Sequence, residues 1–260
     1  MRSASLVTLR LAVLAAFLFV WTVPAQAAVY QYFDEEGTLV VTDNPYHLKR
    51  PRAQQTARPR DLKLAYREDV SYDFYYVSAN SIQDAIAAVR SNGPFNNRDN
   101  KTYAGETRWN MGWSYKFDSS SRIEGSSLYV SVNIYEMEFR SDIVVLLPAL
   151  TENSALNPSD MQNWENFLKV LLEHEHDHVR IVKDPSYRDE AQTRIGAIRE
   201  FVLPYDPAAG IDALVKSAVE AETARIGHDI IKKIKDRNDE YDRITEHGSK
   251  HFLRNSFFGG

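Results

Sequence analysis

The stretch that decides the reading runs from Asn157 to Lys183 and carries His174-Glu175-His176-Asp177-His178 near its end. Asn157-Pro158-Ser159-Asp160 offers a helix start, because Asn and Asp cap free N–H groups and proline is tolerated in a first turn. Trp164, Phe167, Leu168, Leu171 and Leu172 then recur at helical spacing and give one apolar face. Asp184-Pro185 breaks the pattern, so the helix is predicted to end near Lys183. Residues four apart on a helix differ by about 40° around its axis. His174 and His178 therefore face the same way, and His176 points off that face.

Two imidazoles at this spacing can grip one zinc ion, with bonds of about 2.0–2.1 Å. Glu175 follows the first of them and can reach a metal-bound water, taking its proton as general base and returning it to a leaving amine. H-E-x-x-H thus supplies two ligands and a base from one turn. A third protein ligand is needed. The metzincin continuation is absent, since Ile181 and Asp184 stand where its glycine and histidine belong. A gluzincin would take a glutamate from the following helix, for which Glu190 is the nearest candidate. Another candidate is His247, which precedes Gly248 at the end of a long helix, with His251 competing if that segment stays helical.

Composition narrows the chemistry further. The 260 residues contain no cysteine, which excludes Cys-ligated zinc, iron–sulfur clusters, disulfide scaffolds and thiol catalysis. Any metal must rest on His, Asp and Glu. A hydrophobic share of 43% with 26% charged residues supports a buried core. The formal charge of −5 argues against a nucleic-acid partner.

Residues 1–27 read as a signal peptide: Arg2 and Arg10, an apolar run from Leu11 to Trp21, then Ala25-Gln26-Ala27 as a small-x-small cleavage site. Their removal takes away two arginines and no acid, moving the charge from −5 to −7. The expected location is periplasmic or secreted. No later segment is long and apolar enough to span a bilayer.

Residues 28–46 read as a small β module, with a turn at Asp34-Glu35-Glu36-Gly37 between two β-rich runs. A basic linker covers 47–69, with Lys49, Arg50, Arg52, Arg58 and Arg60. The main domain is placed at 70–252 and a C-terminal tail at 253–260. Tyr72 to Val77 is a strand candidate, and Ser81 to Arg90 a short amphipathic helix. Thr107, Trp109, Met111, Trp113, Tyr115 and Phe117 alternate as in a half-buried strand. Leu128, Val130, Val132, Ile134 and Met137 continue the β pattern, and Asp142 to Pro148 reads as a further strand stopped by its proline. Helices are predicted over about 186–202 and 207–237. A strand-rich half followed by a helical half gives an α+β fold.

The segment 28–46 resembles the N-terminal domain-of-unknown-function family 4124, through its aromatic strand, Asp-x-x-Gly turn and closing Asp43-x-Pro45. Residues from about 70 to 252 resemble the bacterial family of predicted secreted zinc-dependent proteases, domain-of-unknown-function family 922. The shared features are Tyr75-Tyr76-Val77, Gly93-Pro94, Thr107-x-Trp109 with Trp113, the H-E-x-x-H helix introduced by Trp164, and Tyr241-Asp242-x-x-Thr245-x-His247-Gly248. The resemblance implies a zincin-like peptidase with His174, His178 and His247 as zinc ligands and Glu175 as base. Tyr241 is either an oxyanion donor or an anchor of the C-terminal turn. The expected partner is a peptide or protein substrate in the cell envelope, held by strand addition at an edge such as 142–148. The alternative is a zinc-containing binding or envelope-structure module that hydrolyses nothing.

Overall fold

The computed structural model describes residues 30–33, 39–42, 64–96 and 99–259. The signal peptide and most of the linker lie outside the described residues, as does the turn of the small β module. The elements are β1 (Tyr30–Phe33), β2 (Leu39–Thr42), β3 (Ser71–Val77), α1 (Ile82–Asn92), β4 (Phe95–Asn96), β5 (Lys101–Thr102), β6 (Glu106–Glu124) and β7 (Ser127–Leu150). There follow α2 (Pro158–Val182), α3 (Pro185–Gly196), β8 (Glu200–Pro204), α4 (Ile211–Thr245), a 3-10 turn (His251–Leu253) and α5 (Arg254–Phe258). Strands dominate the first half and helices the second, so the fold is α+β.

A long antiparallel ribbon of β6 and β7 forms the centre of the sheet, in the order β1-β2-β6-β7-β3 with β8 also on β7. The segments expected as two strands, around 128–137 and 142–148, form this one strand of 24 residues. Pro148 does not stop it, because the strand pairs on through Ala149 and Leu150 against β3. The ribbon stays one-faced through a bulge. Between Ser114 and Lys116 the partners jump from Glu138 to Tyr135, and Glu136 takes φ +49. One extra residue on β7 shifts its buried positions from even numbers (Leu128, Val130, Val132, Ile134) to odd ones (Ile143, Val145, Leu147, Ala149).

That face carries the core. Trp113, Val145 and Leu147 meet Leu172 and Val179 of α2 and Ile226, Ile230 and Ile231 of α4. Full burial of each such side chain contributes roughly 1.5–3 kcal/mol. Gly227 lets α4 lie close on the sheet, since a Cβ there would come within 2.0 Å of the Trp113 ring.

Three further expectations are corrected. The helix predicted over 186–202 ends at Gly196, and Glu200–Pro204 is instead β8, paired with Ser127–Ser131. Residues 142–148 are not a free edge strand, because β6 pairs with β7 as far as Leu146 and β3 pairs with it from Val144 on, so its middle is flanked on both sides. The helix predicted over 207–237 begins at Ile211 and runs on to Thr245. No helix among the described residues is long and apolar enough to cross a membrane.

Candidate metal centre

Helix α2 starts as its sequence dictates: the Asn157 side chain accepts from the Asp160 N–H, and Pro158 occupies the first turn. Its core face buries Trp164, Leu168 and Leu172. The same packing buries His174, Glu175 and His178 deep in the protein. Helix α4 lies against α2 and brings Asp242 to them. His178 Nε2 lies 3.0 Å from Asp242 Oδ1, His174 Nε2 lies 3.2 Å from the same oxygen, and the two Nε2 atoms are 3.2 Å apart. Among the described residues these three side chains form a group able to hold a metal ion.

Hydrogen bonding on the far side of His178 says which atom it presents. Asn238 Nδ2 donates to the Ile234 carbonyl at 2.8 Å, which turns its Oδ1 toward His178 Nδ1, 2.7 Å away. The Nδ1–H therefore donates to Asn238, so Nε2 is the nitrogen turned toward Asp242 and His174. Two ring nitrogens and a carboxylate oxygen converging at this distance could hold a cation. Electrostatics point the same way. Burial opposes charge on His178, but the Asp242 carboxylate outweighs it and raises the imidazole to about 9. Burial likewise opposes charge on Asp242, yet the imidazoles of His174, His178 and His247 hold its carboxyl far below the ordinary range. Two imidazoles and one carboxylate are the ligand types of a three-residue zinc site, so these residues fit the ion.

Glu175 sits beside the group. Its Oε2 accepts from the Thr107 hydroxyl at 2.7 Å. Burial raises its pKa, against the opposing influence of His178, His174 and Thr107. Gly105 lies against the other oxygen: a Cβ there would stand 2.7 Å from Oε1. The strand entering this corner is pinned by the Tyr75 hydroxyl, which donates to the Ala104 carbonyl at 2.7 Å. On the side away from β7, β2 pairs with Met111–Trp113 of β6. Among the described residues, Glu106–Asn110 thus present an open backbone edge next to Glu175.

His247, expected as the third ligand, stands one step behind it. Asp242 lies on the last turn of α4, whereas the chain beyond turns left-handed at Glu246, His247 and Gly248 (φ 47, 52 and 84). That turn leaves His247 Nδ1 3.5 Å from Asp242 Oδ2, with Nε2 3.2 Å from the Tyr103 hydroxyl. Glu190 is held by Lys233 at 2.6 Å and Arg194 at 3.2 Å, apart from the group. His251 meets Glu173 at 3.0 Å, and His176 meets the Tyr72 hydroxyl at 2.7 Å. Tyr241 is fully buried and donates to Asp177 at 2.6 Å, which makes it an anchor. Reading the sequence missed Asp242, Asn238, Thr107 and Gly105 as parts of the site. One signal was present: Asn238 and Asp242 are four apart, on one face of a helix.

Residues 72–248 match the family described as "Bacterial protein of unknown function (DUF922)". The chain belongs to that family. The matched stretch contains every residue of the metal-competent group together with Gly105, Thr107, Glu175 and Asn238. Residues 14–63 match "Domain of unknown function (DUF4124)", a span that takes in the small β module and reaches into the segments on either side of it. No curated protein and no solved structure matches the chain.

Proposed function

We propose that this chain is an exported zinc-dependent peptidase of the cell envelope, with His174, His178 and Asp242 as the zinc ligands and Glu175 as the general base. The observation that carries the reading is the buried Glu175 carboxylate beside the group. A site that only fixes the fold has no need of a second, unliganded carboxylate there. A bound zinc ion would supply Lewis acidity toward water and toward a peptide carbonyl.

The chain's own residues do the rest. Thr107 holds Oε2 of Glu175, which leaves Oε1 to accept the proton of the attacking water and pass it to the departing amine. Burial raises the pKa of Glu175, which strengthens it as an acceptor of the water proton. Gly105 leaves room beside Oε1, and the open edge Glu106–Asn110 replaces 142–148 as the place for an extended peptide to add by backbone hydrogen bonds. The leader segment and the acidic balance support an exported protein with no nucleic-acid partner.

The test is metal analysis of the purified chain joined to peptide cleavage. About one zinc per chain is expected, with hydrolysis of a peptide library lost on chelation and restored by zinc. Bound zinc without cleavage of any peptide would favour the non-catalytic module, and no bound zinc would remove both readings.

A further inference from the structure

We infer that Arg254 is a positioning residue for the metal ligand His174, acting through Asp177 and Tyr241. The inference rests on the metal centre proposed above and extends it to a segment beyond residue 248, where the family match ends.

The two histidine ligands are oriented by different means. His178 has its ring fixed by the Asn238 hydrogen bond. His174 lacks a counterpart: its Nδ1 is buried, with no hydrogen-bond partner among the described residues. A ligating imidazole is ordinarily held by such a bond, so packing must set the angle of this ring. Tyr241 supplies it, stacked on His174 with centroids 5.0 Å apart and planes at 21°. The turn at Gly248 also closes on the ring, since a Cβ there would lie 3.2 Å from His174 Cγ.

Tyr241 is itself held from behind. Its hydroxyl donates to Asp177 Oδ2 at 2.6 Å. Asp177 is buried, and a lone buried carboxylate would be costly. Arg254 pairs with it through both arms of its guanidinium, Nε to Oδ2 at 2.7 Å and Nη2 to Oδ1 at 2.5 Å. The fork matches the carboxylate plane and fixes its direction. Phe257 and Phe258 pack on Tyr241 at 5.0 and 5.7 Å. Arg237 lies over Phe257 and Arg180 over Phe258. The tail expected as an appendage is therefore the outer wall of the metal centre.

The test is titration of the purified metal-free chain with zinc and with cobalt(II), whose visible absorption reports ligand geometry. Arg254→Gln and Tyr241→Phe should each weaken zinc binding by about tenfold or more, the size found for outer partners of metal ligands. Both should shift the cobalt bands while far-ultraviolet dichroism stays unchanged. Arg254→Lys keeps the charge without the fork and should recover part of the loss. Arg180→Gln loosens the tail but leaves Asp177 paired, so its cobalt spectrum should match the wild type. Tyr241→Phe removes a single oxygen and serves if Arg254→Gln does not fold. Wild-type affinity and spectrum in both variants would overturn the inference and spare the metal centre, as would an equal effect of Arg180→Gln. A wild-type chain that binds neither metal would overturn the metal centre itself.

Discussion

Asn238 Oδ1 lies 2.7 Å from His178 Nδ1, and the same amide donates to the Ile234 carbonyl. This bond fixes the ring so that Nε2 is the nitrogen turned toward Asp242. Asn238→Leu keeps the volume but leaves the ring free to flip. Zinc affinity, measured by competition with a chelator, should fall by roughly 10–100-fold with the helix content unchanged.

Asp242 stands in the metal-competent group, and the His247 imidazole lies 3.5 Å from its other oxygen. Asp242→Ala should lose zinc by several orders of magnitude. His247→Ala should lose about tenfold, since it acts through Asp242. Glu190→Ala and His251→Ala should change nothing measurable. The same chelator competition ranks all four, and a larger loss for His247 than for Asp242 would reverse the assignment.

Gly105 and Glu175 make a contact that separates activity from stability. A Cβ at Gly105 would stand 2.7 Å from Oε1, the mobile end of a side chain. Gly105→Ala should therefore displace the carboxylate rather than break the fold. The melting temperature is expected to stay within about 3 °C, the span of roughly 1 kcal/mol in a chain of this size. Hydrolysis should fall by about tenfold or more. Thr107→Val should act in the same direction by freeing Oε2.

The metal-free chain should depend on pH in a defined way. His178 is raised to about 9 in the fold, so its contribution is fully present below its ordinary value near 6.5 and is lost as pH rises through 9. Asp242 is depressed, so its contribution is present above about 4 and is lost only as pH falls well below that. Melting temperature with a chelator present should be highest between these limits and drop on going to pH 9. Zinc should reverse the alkaline trend, because metal binding displaces the proton from His178. A melting temperature independent of pH from 6 to 9 without metal would count against the pairing.

How much of this was legible follows from the range of each interaction. The phase change on β7 is written in the sequence, where apolar positions step from Ile134 to Met137 instead of to residue 136. The α2 helix and its His174–His178 face follow from spacing alone. Strand β8 was not legible, since its short apolar alternation, Phe201 and Leu203, acquires meaning only from a partner strand some 70 residues earlier. Asp242 was in view within the Tyr241-Asp242 motif but joined the metal-competent group only once α4 packed on α2, 64 residues from His178 in sequence. Thr107 alternated correctly in its strand, yet its bond to Glu175 spans 68 residues. Local periodicity encodes the elements, and the third member of the metal-competent group depends on how they pack.

Glu175 is proposed as a base and not a structural carboxylate. Glu175→Gln keeps the shape and the bond with Thr107 but cannot accept a proton from water. The measurement is zinc content and peptide turnover on the same purified preparation of this variant. About one zinc per chain is expected, as in the wild type, with turnover reduced by orders of magnitude. Turnover equal to the wild type at full zinc content would contradict it.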